Sequence, residues 1–276
     1  MAMSIHDRTV LHNGVKMPWL GLGVYKAEEG EQVERAIQHA LHAGYRSIDT
    51  AKLYENEHGV GKAVRESGIP REEIFVTTKL WNTDQGYESA LTAFNESLEK
   101  LQLNYVDLYL IHWPVANKYK ESWRALEEIY RQGKAKAIGV SNFTISQLED
   151  LMSSANVKPM INQVEFHPYL TQKELLAYCS EQGIQLEAWR PLVKGDILQE
   201  PVLLKIAEQH SKTAAQVVLR WNLQCGVVTI PKSVNKNRIR ENAEIFDFKL
   251  SPEEMQAIDG LNRNQRNGAD PENFDF

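Results

Sequence analysis

The chain has 276 residues, 42% of them hydrophobic and 25% charged, with a formal net charge of −6 at pH 7. This composition is that of an ordinary globular protein, and the length suits a single α/β barrel, which needs about 250 residues. The negative charge argues against nucleic acid or an anionic membrane as a general partner, so an anionic ligand would need a local basic pocket.

The first predicted element is a β-hairpin. Its strands, Thr9–Leu11 and Val15–Met17, flank Asn13-Gly14, a dipeptide typical of a two-residue type I′ turn. Such a hairpin is expected to close the floor of a barrel.

Eight β-rich runs alternate with longer amphipathic stretches along the rest of the chain. The strand candidates are Trp19–Leu22, Ser47–Asp49, Ile74–Lys79, Val106–His112, Ala135–Val140, Ile161–Glu165, Gln185–Trp189 and Val228–Ile230. The helical patterns include Glu31–Ala43, Tyr87–Leu101, Trp123–Gln132, Thr171–Gln182 and Ala214–Leu223, in which apolar residues recur at three- and four-residue spacing. The polar tail after Leu261 contains Gly268 and Pro271 and is predicted to be a loop.

This alternation predicts parallel strands joined by right-handed crossovers. Eight repeats of about 30 residues favour an α/β fold of the closed (β/α)8 TIM-barrel class, formed by one domain covering residues 1–276. A doubly wound open sheet is the structural alternative, but no G-x-G-x-x-G motif opens any predicted helix.

Cysteine usage and the chain start point to a reducing, cytoplasmic location. Cys179 and Cys225 are the only cysteines, and we expect both to be free thiols. They offer no zinc-type spacing, so no metal site is predicted. Met1–Val10 is polar, unlike a signal peptide, and no run approaches the roughly 18 apolar residues of a membrane span, so no membrane partner is expected.

The ends of three consecutive predicted strands carry polar residues. Asp49 ends the second strand and is followed by Tyr54, Lys79 ends the third, and His112 ends the fourth. Because barrel enzymes place their functional groups at the carboxyl ends of the strands, these four side chains should converge.

The four groups suit carbonyl reduction. A hydride that reaches a carbonyl carbon leaves an alkoxide that must be protonated, and a phenol such as Tyr54 can donate the proton. The Lys79 ammonium would lower the pKa of that phenol from about 10, Asp49 would keep Lys79 charged, and His112 would hydrogen-bond to the carbonyl oxygen. Singly, each has a structural explanation: a loop tyrosine, a core ion pair, a packed histidine.

Further motifs are spread over almost the whole chain. They are Asp49-Thr50-Ala51 with Tyr54, Asn56-Glu57 and Val60-Gly61; Lys79-Leu80-Trp81; Ile111-His112-Trp113-Pro114; Ile138-Gly139-Val140-Ser141-Asn142-Phe143; Asn162-Gln163-Val164-Glu165; and Ile230-Pro231-Lys232-Ser233. Together they resemble the aldo-keto reductase family, most closely its small bacterial reductases of glyoxal and methylglyoxal. The resemblance implies that Asp49, Tyr54, Lys79 and His112 form a catalytic tetrad.

A nicotinamide site is predicted after the fifth, sixth and seventh strands. Ser141, Asn142 and Gln163 offer a hydroxyl and amides that could bind a carboxamide, and Trp189 could stack on a flat heterocycle. Turn capping and core packing are the alternatives. The family resemblance implies that all four residues hold the nicotinamide.

A basic segment follows the eighth strand. Lys232, Ser233 and Arg238, with backbone amides at a helix start, could form an anion pocket, although a solvated helix face is the alternative. A monoester phosphate beside a ribose explains the pattern better, so NADP(H) is predicted over NAD(H). Val234 in this segment is also counted among the cofactor-binding residues, and the family resemblance implies that Glu241 and Asn242 hold the adenine.

Two positions depart from the family pattern. Arg190 precedes Pro191-Leu192 where many relatives have a small residue. We count Arg190 and Leu192 among the cofactor residues, since the guanidinium could contact the pyrophosphate, but it could also fold outward. Val24 stands where some relatives place a threonine near the nicotinamide ribose.

The substrate pocket is predicted to be aromatic and open. Tyr25, Trp81 and Trp113 are its candidate residues, with Trp19 and the tail around 274–276 as further members. The short segment Val115–Glu121 and the short tail favour small aldehydes, α-dicarbonyls and aromatic ketones.

Two other functions are alternatives to carbonyl reduction. A Schiff-base aldolase could use Lys79, but it needs a lowered lysine pKa, whereas a paired Asp49 raises it. A non-catalytic NADPH-binding subunit or sensor would need a docking surface, and the sequence has no long insertion that would supply one. We expect a monomer whose partner is a small carbonyl compound.

Overall fold

The computed structural model describes residues 4–276, so residues 1–3 of the predicted domain and of the polar segment Met1–Val10 lie outside the described residues. The described part begins with an antiparallel hairpin. β1 (Arg8–Val10) pairs with β2 (Lys16–Pro18), and Thr9 lies opposite Met17.

The hairpin turn differs from the predicted one. A type I′ turn needs a positive φ at both central residues. Gly14 has a φ of +86°, but Asn13 is not among the residues with positive φ. The backbone N–H of Gly14 donates to the carbonyl of Leu11 at 2.8 Å, and that of Leu11 donates to the carbonyl of Val15 at 2.8 Å. The loop therefore has three residues with glycine in the left-handed position, and the predicted turn type was wrong.

Eight parallel strands, paired in sequence order, form the centre of the molecule. They are β3 (Leu22–Gly23), β4 (Ser47–Asp49), β5 (Phe75–Leu80), β6 (Val106–Ile111), β7 (Ala135–Ser141), β8 (Ile161–Glu165), β9 (Gln185–Trp189) and β10 (Val228–Thr229). All residues of β5 and β6 are buried, as expected for parallel strands covered on both faces. The predicted strands are confirmed, although the first begins at Leu22 and not at Trp19.

The sheet closes on itself between β10 and β3. The N–H of Thr229 donates to the carbonyl of Trp19 at 3.1 Å, and the N–H of Gly21 donates to the carbonyl of Thr229 at 3.0 Å. Gly23 is needed at this seam, because a Cβ there would lie 2.9 Å from the backbone oxygen of Ile230. The predicted barrel is confirmed.

Helices connect the strands and cover the outside of the barrel. They are α1 (Glu31–His42), α2 (Glu57–Arg65), α3 (Tyr87–Leu101), α4 (Tyr119–Arg131), α5 (Ile145–Met152), α6 (Lys173–Gln182), α7 (Pro201–His210), α8 (Ala214–Gln224), α9 (Lys236–Ala243) and α10 (Pro252–Asp259). In α1 the residues Val33, Ile37 and Leu41 share one buried face, as their spacing predicts. Within residues 4–276, no helix combines the length and apolarity that crossing a membrane requires.

The hairpin lies across the amino ends of the strands. The hydroxyl of Thr9 donates to the side-chain oxygen of Gln185, the first residue of β9, at 3.0 Å. The amide of Asn13 donates to the carbonyl of Lys136 in β7 at 3.0 Å. The predicted closure of the barrel floor is confirmed, and the opposite end, where the strands finish, is left to the connecting loops.

Candidate active site

Four polar side chains meet at the carboxyl end of the barrel. Asp49 ends β4, Lys79 lies next to the end of β5, and His112 directly follows β6. Tyr54 is the last residue of a 3-10 turn that follows β4, Lys52–Tyr54. The four predicted catalytic residues therefore lie together, because neighbouring parallel strands bring their carboxyl ends to one side.

The Lys79 ammonium is the centre of this group. Lys79 is fully buried. Its Nζ donates to Asp49 Oδ1 at 2.6 Å, to the carbonyl oxygen of Thr50 at 2.8 Å and to the hydroxyl of Tyr54 at 3.4 Å. Burial lowers the pKa of Lys79, but the charge of Asp49, the hydrogen bond to Asp49 and the neighbouring Tyr54 and Glu187 together raise it by more, so the pKa stays above its ordinary value. The ammonium therefore remains charged inside the barrel.

Tyr54 keeps its proton at neutral pH. Burial raises the pKa of Tyr54 to about 12, although the ammonium of Lys79 lowers it. The predicted direction of the Lys79 effect is confirmed, but the predicted net lowering of the pKa was wrong, because loss of hydration penalises the phenolate more than one cation stabilises it. The phenol is thus a protonated donor whose anion has a cation within contact distance.

His112 is a neutral imidazole beside that phenol. Burial, and next the charge of Lys79, hold the pKa of His112 well below its ordinary range. Its Nδ1 is buried and has no hydrogen-bond partner within residues 4–276. A neutral imidazole has one N–H, and we assign it to Nε2, since an unpaired buried N–H costs more than a bare lone pair. The ring centroids of Tyr54 and His112 are 5.8 Å apart with the rings edge to face, so the two side chains are direct neighbours.

A second network joins the predicted nicotinamide residues. Ser141 Oγ donates to the carbonyl of Gln163 at 2.8 Å, and Trp189 Nε1 donates to Asn142 Oδ1 at 2.8 Å. The amide nitrogen of Asn142 donates to the carbonyl of His112 at 3.0 Å, which connects this network to the four polar side chains described above. All four predicted residues therefore lie beside the tetrad.

Gln163 links the two networks directly. Its Nε2 donates to Asp49 Oδ2 at 2.8 Å and to Oε2 of Glu187 at 2.8 Å. Glu187 lies on β9 opposite Gln163 and is fully buried. Glu187 was not predicted as a site residue, although a carboxyl group in the middle of a buried barrel strand is a signal that could have identified it.

The predicted phosphate pocket contains basic side chains between the end of β10 and the first turn of α9. Lys232 follows β10, and burial, and next the charge of Lys26, lower its pKa. Arg238 is exposed in the first turn of α9, where its backbone N–H donates to the side-chain oxygen of the capping residue Asn235 at 3.1 Å. Ser233 is buried, and its Oγ accepts from the N–H of Asn235 at 3.1 Å. Lys26 was missed, although it lies in the loop after the first barrel strand, at the functional end.

The other predicted cofactor residues are Val234, Glu241 and Asn242, which lie in or just after the basic segment, and Leu192, which follows β9. Val234 is exposed, and Asn242 is buried in α9. Glu241 accepts a hydrogen bond from the hydroxyl of Thr213 at 2.8 Å. Leu192 follows β9 and packs partly buried on the core. Their contacts to a cofactor stay a prediction.

Arg190 is turned toward the C-terminal tail. Its guanidinium lies 5.3 Å from the ring centroid of Trp189 and donates to the carbonyl of Asn267. The same tail segment is held by the buried Glu165 carboxylate, which accepts the N–H groups of Asn267 at 2.8 Å and Gly268 at 3.0 Å. The tail carbonyl of Asn267 is thus a partner of Arg190 that was not predicted from the sequence.

Aromatic side chains surround the space above Tyr54 and His112. The ring of Tyr25 is 5.0 Å from that of Tyr54, and the ring of Trp81 is 5.2 Å from that of His112. The tail adds to this wall, because Phe276 stacks on Trp81 with ring centroids 6.0 Å apart.

Trp113 and Trp19 have different positions. Trp113 lies at this wall, with Phe274 5.1 Å from it. Trp19 precedes the first barrel strand, at the amino end that the hairpin covers. The predicted place of Trp19 at the pocket mouth was therefore wrong, whereas Tyr25 follows the same strand at its carboxyl end.

Comparison with known proteins identifies the relatives of this chain. The model of the aldo/keto reductase family matches residues 19–263. A glyoxal reductase from Bacillus subtilis is 59% identical over 276 residues, which are all of both chains. A morphine 6-dehydrogenase from Pseudomonas putida is 50% identical over 96% of this chain and 94% of its own. The crystal structure of an aldo-keto reductase from Bombyx mori in complex with NADP is similar with a TM-score of 0.89, 38% identity and 94% coverage of each chain.

Proposed function

The chain belongs to the aldo/keto reductase family, and we propose that it uses NADPH to reduce aldehydes, α-dicarbonyls and some ketones to alcohols. The proposal rests chiefly on Lys79, whose buried ammonium lies 2.6 Å from Asp49 and 3.4 Å from the hydroxyl of Tyr54. A cation held in place beside a phenol stabilises the phenolate as soon as it forms, without reorganisation of solvent. This arrangement suits a proton donor to an alkoxide.

The roles of the four residues follow from this geometry. The carbonyl oxygen accepts hydrogen bonds from the Tyr54 hydroxyl and from His112 Nε2, which polarises the carbonyl group. NADPH, when bound, supplies the hydride that reaches the carbonyl carbon. As negative charge grows on the oxygen, Tyr54 transfers its proton to it, and the Lys79 ammonium stabilises the phenolate. Asp49 holds that ammonium in position and keeps it charged.

The residues around the site fit the cofactor. A carboxamide has both donors and an acceptor, which Ser141, Asn142 and Gln163 can meet, and Trp189 offers a flat face. Lys232 and Arg238 flank a helix start, which favours a phosphate, and the nearby Lys26 adds a third cation. The Bombyx mori relative binds NADP, and its likeness supports the same cofactor here.

The substrate class is proposed from the pocket and from the relatives. Tyr25, Trp81 and Trp113 offer apolar walls to a small carbonyl compound, and the glyoxal reductase relative supports α-dicarbonyls among the substrates. The proposal also includes a single-domain monomer that acts in the cytoplasm, in keeping with its composition. A Schiff-base aldolase is disfavoured, since the raised pKa of Lys79 leaves it without a nucleophilic amine at neutral pH.

Replacement of Tyr54 by phenylalanine tests the proposal. NADPH consumption is followed with methylglyoxal and para-nitrobenzaldehyde, with NADH as the parallel cofactor. Tyr54→Phe should lower kcat by about 10²- to 10⁴-fold, the usual contribution of a proton donor, while NADPH affinity is unchanged. Tyr109→Phe is the matched control, because Tyr109 is a buried tyrosine that packs against Phe94, away from the site.

Two results would contradict the proposal. Retained activity of Tyr54→Phe would remove Tyr54 as the proton donor. Tight NADPH binding by the unaltered protein without turnover of any aldehyde in a broad panel would favour the non-catalytic sensor.

A further inference from the structure

A second carboxyl group, that of Glu187, lies inside the barrel next to the proposed catalytic group. Glu187 is fully buried on β9 and pairs with Gln163 on β8. Asp49 approaches the same amide from β4, and Lys79 from β5 binds the other oxygen of Asp49. Glu187 has no role in the reaction described above, yet it shares one amide nitrogen with a proposed catalytic residue.

The hydrogen atoms of Gln163 decide how its side chain can serve a ligand. An amide nitrogen carries two hydrogen atoms, and here one goes to Asp49 Oδ2 and the other to Glu187 Oε2, both at 2.8 Å. Asp49 is ion-paired with Lys79 and accepts only, so the amide must turn its nitrogen toward it. Only the carbonyl oxygen, Oε1, is left for a ligand.

We propose, on the basis of the reductase function proposed above, that Glu187 is a positioning residue that fixes the Gln163 amide with Nε2 toward Asp49 and Oε1 toward the nicotinamide. Gln163 then acts as an acceptor and binds the carboxamide through an N–H. Without Glu187, one hydrogen of the amide is unpaired, so the amide keeps Nε2 toward Asp49 but can rotate about that hydrogen bond, and Oε1 loses its fixed direction. The carboxamide would then lose its fixed partner, and with it part of the orientation of the nicotinamide ring.

The protonation of Glu187 matters to the same site. Burial, and next the charge of Asp49, raise the pKa of Glu187 to about 8. Near neutral pH the carboxyl group is therefore protonated, and one negative charge, that of Asp49, balances Lys79. Above that pKa, a second negative charge lies close to Lys79. The ionised Glu187 carboxylate disfavours the Tyr54 phenolate that forms on proton transfer. His112 stays neutral over this pH range, so it does not offset the added charge. The rate of reduction should therefore fall as the pH rises.

Two substitutions separate the hydrogen bond from the charge. Glu187→Gln keeps the shape and the acceptor but cannot ionise, whereas Glu187→Leu removes the acceptor. Glu57→Gln is the matched control, because Glu57 is another buried glutamate, bound to the Thr78 hydroxyl at 2.6 Å on the helix side of the barrel wall. Thermal unfolding of each variant reports whether the fold is kept.

The binding probe is the acetylpyridine analogue of NADPH, in which a methyl group replaces the carboxamide NH2. The unaltered protein should bind it about tenfold more weakly than NADPH, the effect of one net hydrogen bond. Glu187→Gln and Glu57→Gln should keep this tenfold ratio of the two dissociation constants. In Glu187→Leu the ratio should fall toward one, because NADPH loses its advantage over the analogue. An unchanged ratio in folded Glu187→Leu would overturn the positioning role.

The pH profile of kcat/KM for methylglyoxal tests the charge. The unaltered protein and Glu57→Gln should lose activity through the region of pH 8, and Glu187→Gln should lose this alkaline fall. The same fall in Glu187→Gln would overturn the charge effect, even if Glu187→Leu did not fold. Failure of the proposed function would look different: the unaltered protein would not turn over, while the binding ratios would still report on Glu187.

Discussion

The buried ion pair between Lys79 and Asp49 gives the strongest prediction about stability. Lys79→Met removes the ammonium and leaves the Asp49 carboxylate with Gln163 as its remaining side-chain partner. Asp49→Leu leaves the ammonium with the carbonyl of Thr50 and the Tyr54 hydroxyl. Each single change leaves a buried charge without its counter-ion.

The expected magnitude follows from the distance and the burial. At 2.6 Å and an effective dielectric constant of about 20, the attraction between two unit charges is about 6 kcal/mol. Desolvation of both ions, several kcal/mol each, offsets most of this attraction. The intact pair therefore contributes little net stability, but each single substitution should lower the free energy of unfolding by about 3–5 kcal/mol.

The assay is urea unfolding of the unaltered protein, the two single variants and the double variant. The double variant should lose far less than the sum of the single losses, because it removes both charges at once. The pair Arg124–Glu121, whose side chains are 61% and 52% exposed, is the matched control, and its coupling energy should stay below about 1 kcal/mol. Additivity of the Lys79 and Asp49 effects within about 0.5 kcal/mol would refute the reasoning.

The remaining predictions concern the cofactor pocket and the tail. Arg238→Ala should weaken NADPH binding by about tenfold or more and leave NADH binding unchanged, since it removes a charge-assisted phosphate contact; equal effects on both cofactors, measured by fluorescence titration, would contradict the pocket. Gly268→Ala should lower the melting temperature and alter KM for aromatic aldehydes, because the added Cβ would lie 2.4 Å from the Trp189 ring and push the tail away from Glu165. Unchanged values of both would show that the tail accommodates the methyl group.

The sequence was sufficient for the barrel and for the convergence of the proposed catalytic residues. Strand and helix periodicity are local properties, and the alternation of the two leaves a parallel arrangement as the consistent topology. In that topology the ends of β4, β5 and β6 are neighbours, so Asp49, Lys79 and His112 had to meet. The tail was predicted to be a loop on composition, and no helix follows α10.

Other features depended on distances that no local pattern contains. The pKa of Tyr54 depends on the balance of burial, which raises it, and the Lys79 charge, which lowers it. Burial is the larger effect, so the pKa is raised and not lowered as the sequence predicted. The Arg190 guanidinium donates a hydrogen bond to the carbonyl of Asn267, which is distant in the sequence. The residue type at position 190 does not by itself specify such a contact.

The sequence by itself determined which chemical groups the site contains, because their strand positions follow from period and topology. The tertiary structure alone decided which hydrogen bonds those groups form and how burial shifts their pKa values. Gln163 joins Asp49 to Glu187 through a single nitrogen, and burial raises the pKa of Glu187. Hydrogen-bond sharing and desolvation act through space over a few ångströms, so they are fixed only when the barrel has closed around these side chains.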